Sequence, residues 1–300
     1  MPQGSELGRV HLHVTDAERA RLFWTRYVGL QELPGDGSVI ELGAGDRPLI
    51  VLYPGASQRQ QPRRTGLYHV AIHVPSRRDL ALLVARLATL EYRQAPTDHT
   101  ATEATYFDDL DGIGIEVTFE TPERGRMLIL PDGRPVAQLA GESGYRGVTE
   151  ALDVEGLLAE LTPEDDLTTP LPAGTRIGHV HLHLRDIEAG RYFYEKLIGF
   201  HLRLHMSNIG MSDYGLDPVT EPHSLAINSW NGPGAEPQPE GSAGLKHWEL
   251  LLPEEAALQE LKGRLDSEGL RYDSVRNGIS VRDPSGNELR VLSAAPYIRT

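Results

Sequence analysis

The sequence predicts an α+β protein of two domains, each built from two units that run strand, helix, then two or three antiparallel strands. Three observations carry this reading. At an offset of 170 residues the chain matches itself without a gap, GRVHLHVTDAERARLFWTRYVGL (8–30) on GHVHLHLRDIEAGRYFYEKLIGF (178–200). Gly8, Val10, His11, Leu12, His13, Asp16, Arg21, Phe23 and Gly29 all meet identical residues, which is the mark of an internal duplication. Within each half a weaker echo aligns TGLYHVAIHVPSRRDLALLVARLATL (65–90) with AGLKHWELLLPEEAALQELKGRLDSE (243–268), so each half is itself two units. Finally, 300 residues with 39% apolar content can build two ordinary cores.

Each unit opens with an alternating stretch, then an Asp or Pro, then apolar residues at helical spacing. In the first unit Val10, Leu12 and Val14 take one strand face, and Arg9, His11 and His13 take the other. Asp16 is a good N-cap, Leu22, Phe23 and Tyr27 supply a helical stripe, and Gly29 ends it. Strands are expected at SVIELG (38–43), PLIVLY (48–53), TEATYFDD (102–109) and GIEVTFE (114–120). The aromatic residues Phe23, Trp24, Phe193 and Tyr194 belong to helix stripes and read as core. The domains are therefore 1–121 and 176–300. Residues 122–175, rich in Pro, Gly and acidic residues with one helical candidate at ALDVEGLLAEL (151–161), fall outside the repeat and read as a connector packed along the surface. PGAEPQPEGSAG (233–244) reads as a shorter flexible insertion.

Composition removes several classes of function. The chain has no cysteine, which rules out disulfide scaffolds, thiolate zinc sites and cysteine nucleophiles, so any metal must be held by His, Asp, Glu or water. A net charge of −14 with no basic run to offset it argues against nucleic acid and membrane surfaces as partners. MPQGSELGRV lacks the pattern of a leader, and no window approaches the length of a spanning helix, so a soluble, cytoplasmic protein is expected.

Of 12 histidines, eight lie on the unit-opening strands: His11, His13, His69, His73, His179, His181, His183 and His247. In each strand they fall on alternate positions and share a face. His13, His73 and His183, near strand ends, read as polar residues on a solvated face. His69, His179 and His247 occupy corresponding points of homologous strands, and that repetition favours a ligand role.

The repeated strand, helix and strands, the phrase GHVHLHLRD with a helix ending in IGF, and the turns DPSGNE and DLDGIGIE resemble the vicinal oxygen chelate superfamily, which includes glyoxalase I, bleomycin-resistance proteins and extradiol catechol dioxygenases. The resemblance covers roughly 8–120 and 176–293 and is strongest to the four-module, catechol 2,3-dioxygenase-like branch. It implies that the two βαβββ modules of each domain form a curved mixed sheet, a cup with helices outside. It also implies a metal inside the cup, held by two histidines and one carboxylate that leave coordination sites open for substrate and oxygen.

Carried over position by position, the first-strand ligand lies seven residues before the helix-starting Asp, which is Arg9 in the first half and His179 in the second. The next module's histidine maps to His69 and His247. The carboxylate, seven residues after the Asp of the turn, maps to Glu116 but also to Arg290. A guanidinium cannot ligate a metal. Two rescues are open on the same strand faces as the arginines: His11 beside His69 and Glu116, or Glu288 beside His179 and His247. Tyr106 and His99 match the second-sphere Tyr and His of extradiol dioxygenases and are the candidates for proton handling. Arg9, Arg290 and His223 are candidates for substrate binding; Glu41 and Glu221 could approach the cups from middle strands.

The expected function is a metal-dependent ring-cleaving oxygenase, an extradiol dioxygenase-like oxidoreductase, or a related glyoxalase-superfamily enzyme. Its substrate would be a small aromatic or apolar molecule, with Fe(II) as cofactor and Mn(II) or Zn(II) as substitutes; a homodimer is compatible. The alternatives are a metal-free, bleomycin-resistance-like binding protein with degenerate sites and no cofactor, in which the arginines recognise an anionic group, and a scaffold whose cups are filled by side chains.

Overall fold

A computed structural model describes residues 1–35, 37–218 and 223–293. Four modules are present. Module 1 holds β1 (Glu6–Val14), α1 (Ala17–Phe23), β2 (Gln31–Glu32), β3 (Ile40–Ala44) and β4 (Arg47–Pro54). Module 2 holds β5 (Gly66–His73), α2 (Arg77–Thr89), β6 (Ala95–Asp98), β7 (Thr102–Asp108) and β8 (Gly114–Glu120). The segment between the halves carries a β9 (Gly125–Ile129) and β10 (Pro135–Leu139) hairpin, β11 (Glu150–Ala151) and the short α3 (Val154–Leu158). Module 3 holds β12 (Arg176–His183), α4 (Ile187–Arg191), β13 (His201–Met206), β14 (Met211–Gly215) and β15 (Leu225–Asn228). Module 4 holds β16 (Gly244–Leu252), α5 (Glu255–Ser267), β17 (Asp273–Val275), β18 (Gly278–Arg282) and β19 (Glu288–Ser293).

The duplication reaches fine detail. Asp16 and Asp186 cap their helices through the side chain. Both helices then widen into a π turn, Trp24–Val28 and Tyr192–Ile198, and stop at glycines in the left-handed region, Gly29 (φ 93°) and Gly199 (φ 101°). The turns at Asp109 and Asp283 are also equivalent: each carboxylate accepts two backbone N–H groups. Each turn then fastens another module. The Asp111 carboxylate accepts from the Thr15 amide and hydroxyl, and the Ser285 hydroxyl accepts from the Arg185 amide.

The sheets do not follow the halves of the chain. The eight-stranded sheet runs β17-β18-β19-β16-β1-β4-β3-β2, joining module 4 to module 1. The nine-stranded sheet runs β11-β6-β7-β8-β5-β12-β15-β14-β13, joining module 2 to module 3. The expectation that each half forms its own cup is therefore corrected: β1 pairs antiparallel with β16, and β5 with β12. All four opening strands have the same alternation, so any two could pair edge to edge. The connector packs on module 2: β11 adds to the edge of the nine-stranded sheet, Arg124 pairs with Asp98 and Glu103, and Arg77 of α2 reaches the Gly156 carbonyl and Glu160. A contiguous apolar core lies beneath both sheets; Phe23, Trp24, Phe193 and Tyr194 are fully buried, as the helix stripes predicted, and Trp248 of β16 joins them.

Candidate metal centre

Strand pairing builds the first cup. β5 lies between β12, antiparallel, and β8, parallel. Ala71 stands opposite both His179 on β12 and Glu116 on β8. Its methyl group leaves the space beside it for the larger side chains on either hand. His69, two residues earlier, shares its face. His69, Glu116 and His179 are each at most 5% exposed, and they line one cavity of about 500 Å³. The two imidazole Nε2 atoms are 3.0 Å apart, and Glu116 Oε2 lies 3.1 Å from that of His69 and 3.0 Å from that of His179. Glu116 Oε1 accepts from the Thr118 hydroxyl at 2.7 Å, which fixes the carboxylate, whereas Oε2 is buried with no hydrogen-bond donor. Burial pushes the Glu116 carboxyl up, and the two imidazoles more than reverse this, holding it well below the usual carboxylate range. Burial lowers His179 to about 4, so its ring is neutral and offers a lone pair. Three buried ligand atoms thus converge on one point, a cluster that could hold a cation.

Two further groups flank this cluster. The Tyr106 hydroxyl is 2.9 Å from His99 Nε2, and His99 Nδ1 is 2.8 Å from the Val148 carbonyl oxygen. A carbonyl only accepts, so Nδ1 carries the ring proton and Nε2 accepts from the tyrosine hydroxyl. Burial, with Glu116 adding to it, raises Tyr106 well above its ordinary value, so the phenol stays neutral. On the module 3 side the His223 ring centroid lies 4.2 Å from that of His179. Burial and then the His179 ring hold His223 well below the usual histidine range, so it is a neutral acceptor. His223 lines this cavity, between modules 2 and 3.

The second cup has a different chemistry. His11, His247 and Glu249 place donor atoms within 4.8 Å of one another. The His11 and His247 rings, however, are stacked, 3.9 Å between centroids and 22° between planes. A metal lies in the plane of each imidazole that binds it, and two nearly parallel planes so spaced share no nearby point. Glu249 is also saturated. Its Oε2 accepts from the Arg9 amide (3.1 Å) and Nε (3.0 Å), and its Oε1 from Arg9 Nη2 (2.8 Å) and His11 Nε2 (3.0 Å). The guanidinium takes the place where a cation would sit.

Several expected groupings are thereby corrected. His11 is not beside His69 and Glu116; it lies in the other sheet, against Tyr53, His247 and Glu249. His179 and His247 belong to different sheets, so they cannot form a set with Glu288. Glu288 pairs instead with Arg282 and Arg290. Arg9 also reaches Glu41 at 3.5 Å, while Glu221 lies outside the described residues. His73 is not on a solvated face: it is 3% exposed and paired with Glu120. Glu249 went unnoticed, although HWE (247–249) against HVA (69–71) in the echo puts a carboxylate on the ligand face where module 2 has Ala71.

Comparison with known proteins agrees with this architecture. Residues 6–117 match the model of the Glyoxalase/Bleomycin resistance protein/Dioxygenase superfamily. Over 285 residues the chain is 32% identical to the catechol-2,3-dioxygenase of Bacillus subtilis (strain 168), covering 94% of this chain and 95% of that protein. The chain belongs to this superfamily. Among solved structures, glyoxalase I from Zea mays superposes with a TM-score of 0.58 at 15% identity, covering 98% of this chain and 95% of its own. The cppA protein of Streptococcus pneumoniae TIGR4 does so with a TM-score of 0.54 at 12% identity, covering 96% of this chain and 100% of its own. At such identities the likeness is one of fold. As in the superfamily resemblance drawn from the sequence, the chain is a sheet-dominated α+β protein of two large mixed sheets. No helix among the described residues is long and apolar enough to cross a membrane.

Proposed function

We propose that this chain is a metal-dependent dioxygenase that opens an aromatic ring bearing two adjacent hydroxyl groups, at the cup shared by modules 2 and 3. One observation carries the reading. Ligands at about 2.1 Å from a metal lie about 3.0 Å apart when at right angles, and about 3.4 Å apart at tetrahedral angles. The donor separations among His69, His179 and Glu116 are 3.0, 3.0 and 3.1 Å. They are compatible with one face of an octahedral ion such as Fe(II) or Mn(II), which would leave the opposite face for ligands. The catechol-2,3-dioxygenase name of the Bacillus subtilis relative supports the substrate class.

His69, His179 and Glu116 would hold the metal, with Thr118 orienting the carboxylate. When bound, Fe(II) would supply a Lewis acid for the diol and a one-electron route between the diol and dioxygen. The remaining steps fall to the side chains. Tyr106 points its proton at His99, so its oxygen can accept a proton from a substrate hydroxyl while His99 Nε2 takes the tyrosine's own. The imidazolium so formed keeps its Nδ1 proton on the Val148 carbonyl. His223 can take or return a second proton beside His179. The second cup fits the degenerate alternative, since Arg9 neutralises its carboxylate.

The test is oxygen uptake with catechol by protein reconstituted anaerobically with Fe(II), alongside metal analysis. Expected are one bound metal per chain and catechol-dependent uptake with a ring-opened product. Protein that binds no metal at this cluster, or that binds iron and consumes no oxygen with any catechol, would overturn the proposal.

A further inference from the structure

The segment between the halves, which the repeat does not explain, touches both edges of the sheet that carries the site. β11 pairs with β6 at one edge, through Glu150 and Asp98 and through Ala151 and Thr97. The hairpin strand β9 packs against β13, the strand at the opposite edge. The segment therefore straps the open side of the cup, and its inner surface is part of the cavity. Met127 from β9 and Val148 from the stretch before β11 line it, facing a space also lined by Met206, Ile209 and Met211 of module 3. Thioether and aliphatic side chains make this wall adaptable and apolar, in contrast to the histidines and Glu116. The apolar surface continues outward: Ile209 and Trp230, both lining the cavity, are 40% and 47% exposed, and the Trp230 indole donates to the Ile209 carbonyl at 2.7 Å. An exposed apolar rim joined to a cavity of about 500 Å³ marks a ligand larger than a bare diol ring.

We propose that the strap formed by the connector is the substrate-selecting wall of this site, and that the substrate is a vicinal diol ring carrying a bulky apolar substituent lodged between Met127 and the Met206, Ile209 and Met211 wall. This rests on the reading of the site given above, and Arg203, which also lines the cavity, makes a carboxylate-bearing analogue the decisive competitor.

The test uses the fluorescence of Trp230, which lines the cavity, whereas Trp24 and Trp248 do not. Catechol, 4-butylcatechol and 3,4-dihydroxybenzoate are titrated under argon into the full chain, with a Trp230→Phe control. 4-Butylcatechol is expected to bind at least about tenfold more tightly than either of the others. Met127→Ala, and separately Met211→Ala, should cut the ratio of the catechol to 4-butylcatechol Kd several-fold. Equal Kd values for catechol and 4-butylcatechol, tighter binding of the carboxylate, or a ratio untouched by both substitutions would overturn the wall. Tight 4-butylcatechol binding without oxygen uptake would leave the wall standing and sink the reaction. Catechol-dependent uptake without any binding advantage would do the reverse.

Discussion

His69 and His179 are 110 residues apart in sequence, yet their Nε2 atoms lie 3.0 Å apart. The contact joins the two halves of the chain and makes one complete donor set from two incomplete ones. Metal analysis after reconstitution should give one equivalent per chain. His69→Ala, Glu116→Ala and His179→Ala should each abolish it, and His247→Ala should leave it intact. A second equivalent lost on His247→Ala would show that the arginine cup binds metal after all.

Arg9 saturates a carboxylate that is only 3% exposed. Arg9→Ala should therefore cost about 3 kcal/mol in urea unfolding, because it strands Glu249. Arg9→Ala combined with Glu249→Gln should recover part of that loss. The ion pair also holds Glu249 down at about 2, after burial is overcome by His11 and Arg9. A depressed carboxyl contributes stability above its unfolded value and loses it as pH falls toward about 2. The wild-type advantage over the double variant should shrink across that acid range.

Tyr106 and His99 form a chain whose polarity is set by a backbone carbonyl. Tyr106→Phe and His99→Ala should each lower kcat with the diol substrate by about a hundredfold while metal content stays at one per chain. Unchanged kcat in both would remove the pair from proton handling.

Asp109 sits 4% exposed in its turn, and burial raises it to about 7 despite two backbone N–H donors. A raised carboxyl contributes stability below its unfolded value, near 3.9, that is lost as pH rises through about 7. Asp109→Asn keeps an oxygen for both amides and carries no such loss. Its stability relative to wild type should grow between pH 4 and 8. The displacement of about three pH units, at about 1.4 kcal/mol each, sets a ceiling on the order of 4 kcal/mol. Thermal melts across that range would measure it.

Gly178 has no room for a side chain, since a Cβ there would lie 1.8 Å from the His73 ring. Gly178→Ala should displace His73 and the neighbouring His179, costing about 2 kcal/mol and weakening metal binding. Intact metal affinity and an unchanged Tm would contradict this.

Much of this protein is legible in its sequence. The repeat GRVHLHV and GHVHLHL, the Asp caps, the terminal glycines and the alternating strands depend on local geometry, so they specified the modules and their order. His69, Glu116, His99 and Tyr106 could be picked out because module 2 carries them within one unit. Module pairing was not legible, since four opening strands of the same pattern offer equivalent edges. Tertiary structure chose the partners: His179 meets His69 and Glu116 over the small Ala71, while Arg9 meets Glu249 where the other cup has His179 and Ala71. A cation site needs converging lone pairs and an ion pair needs opposite charges, and only the packed sheets bring either set within contact distance.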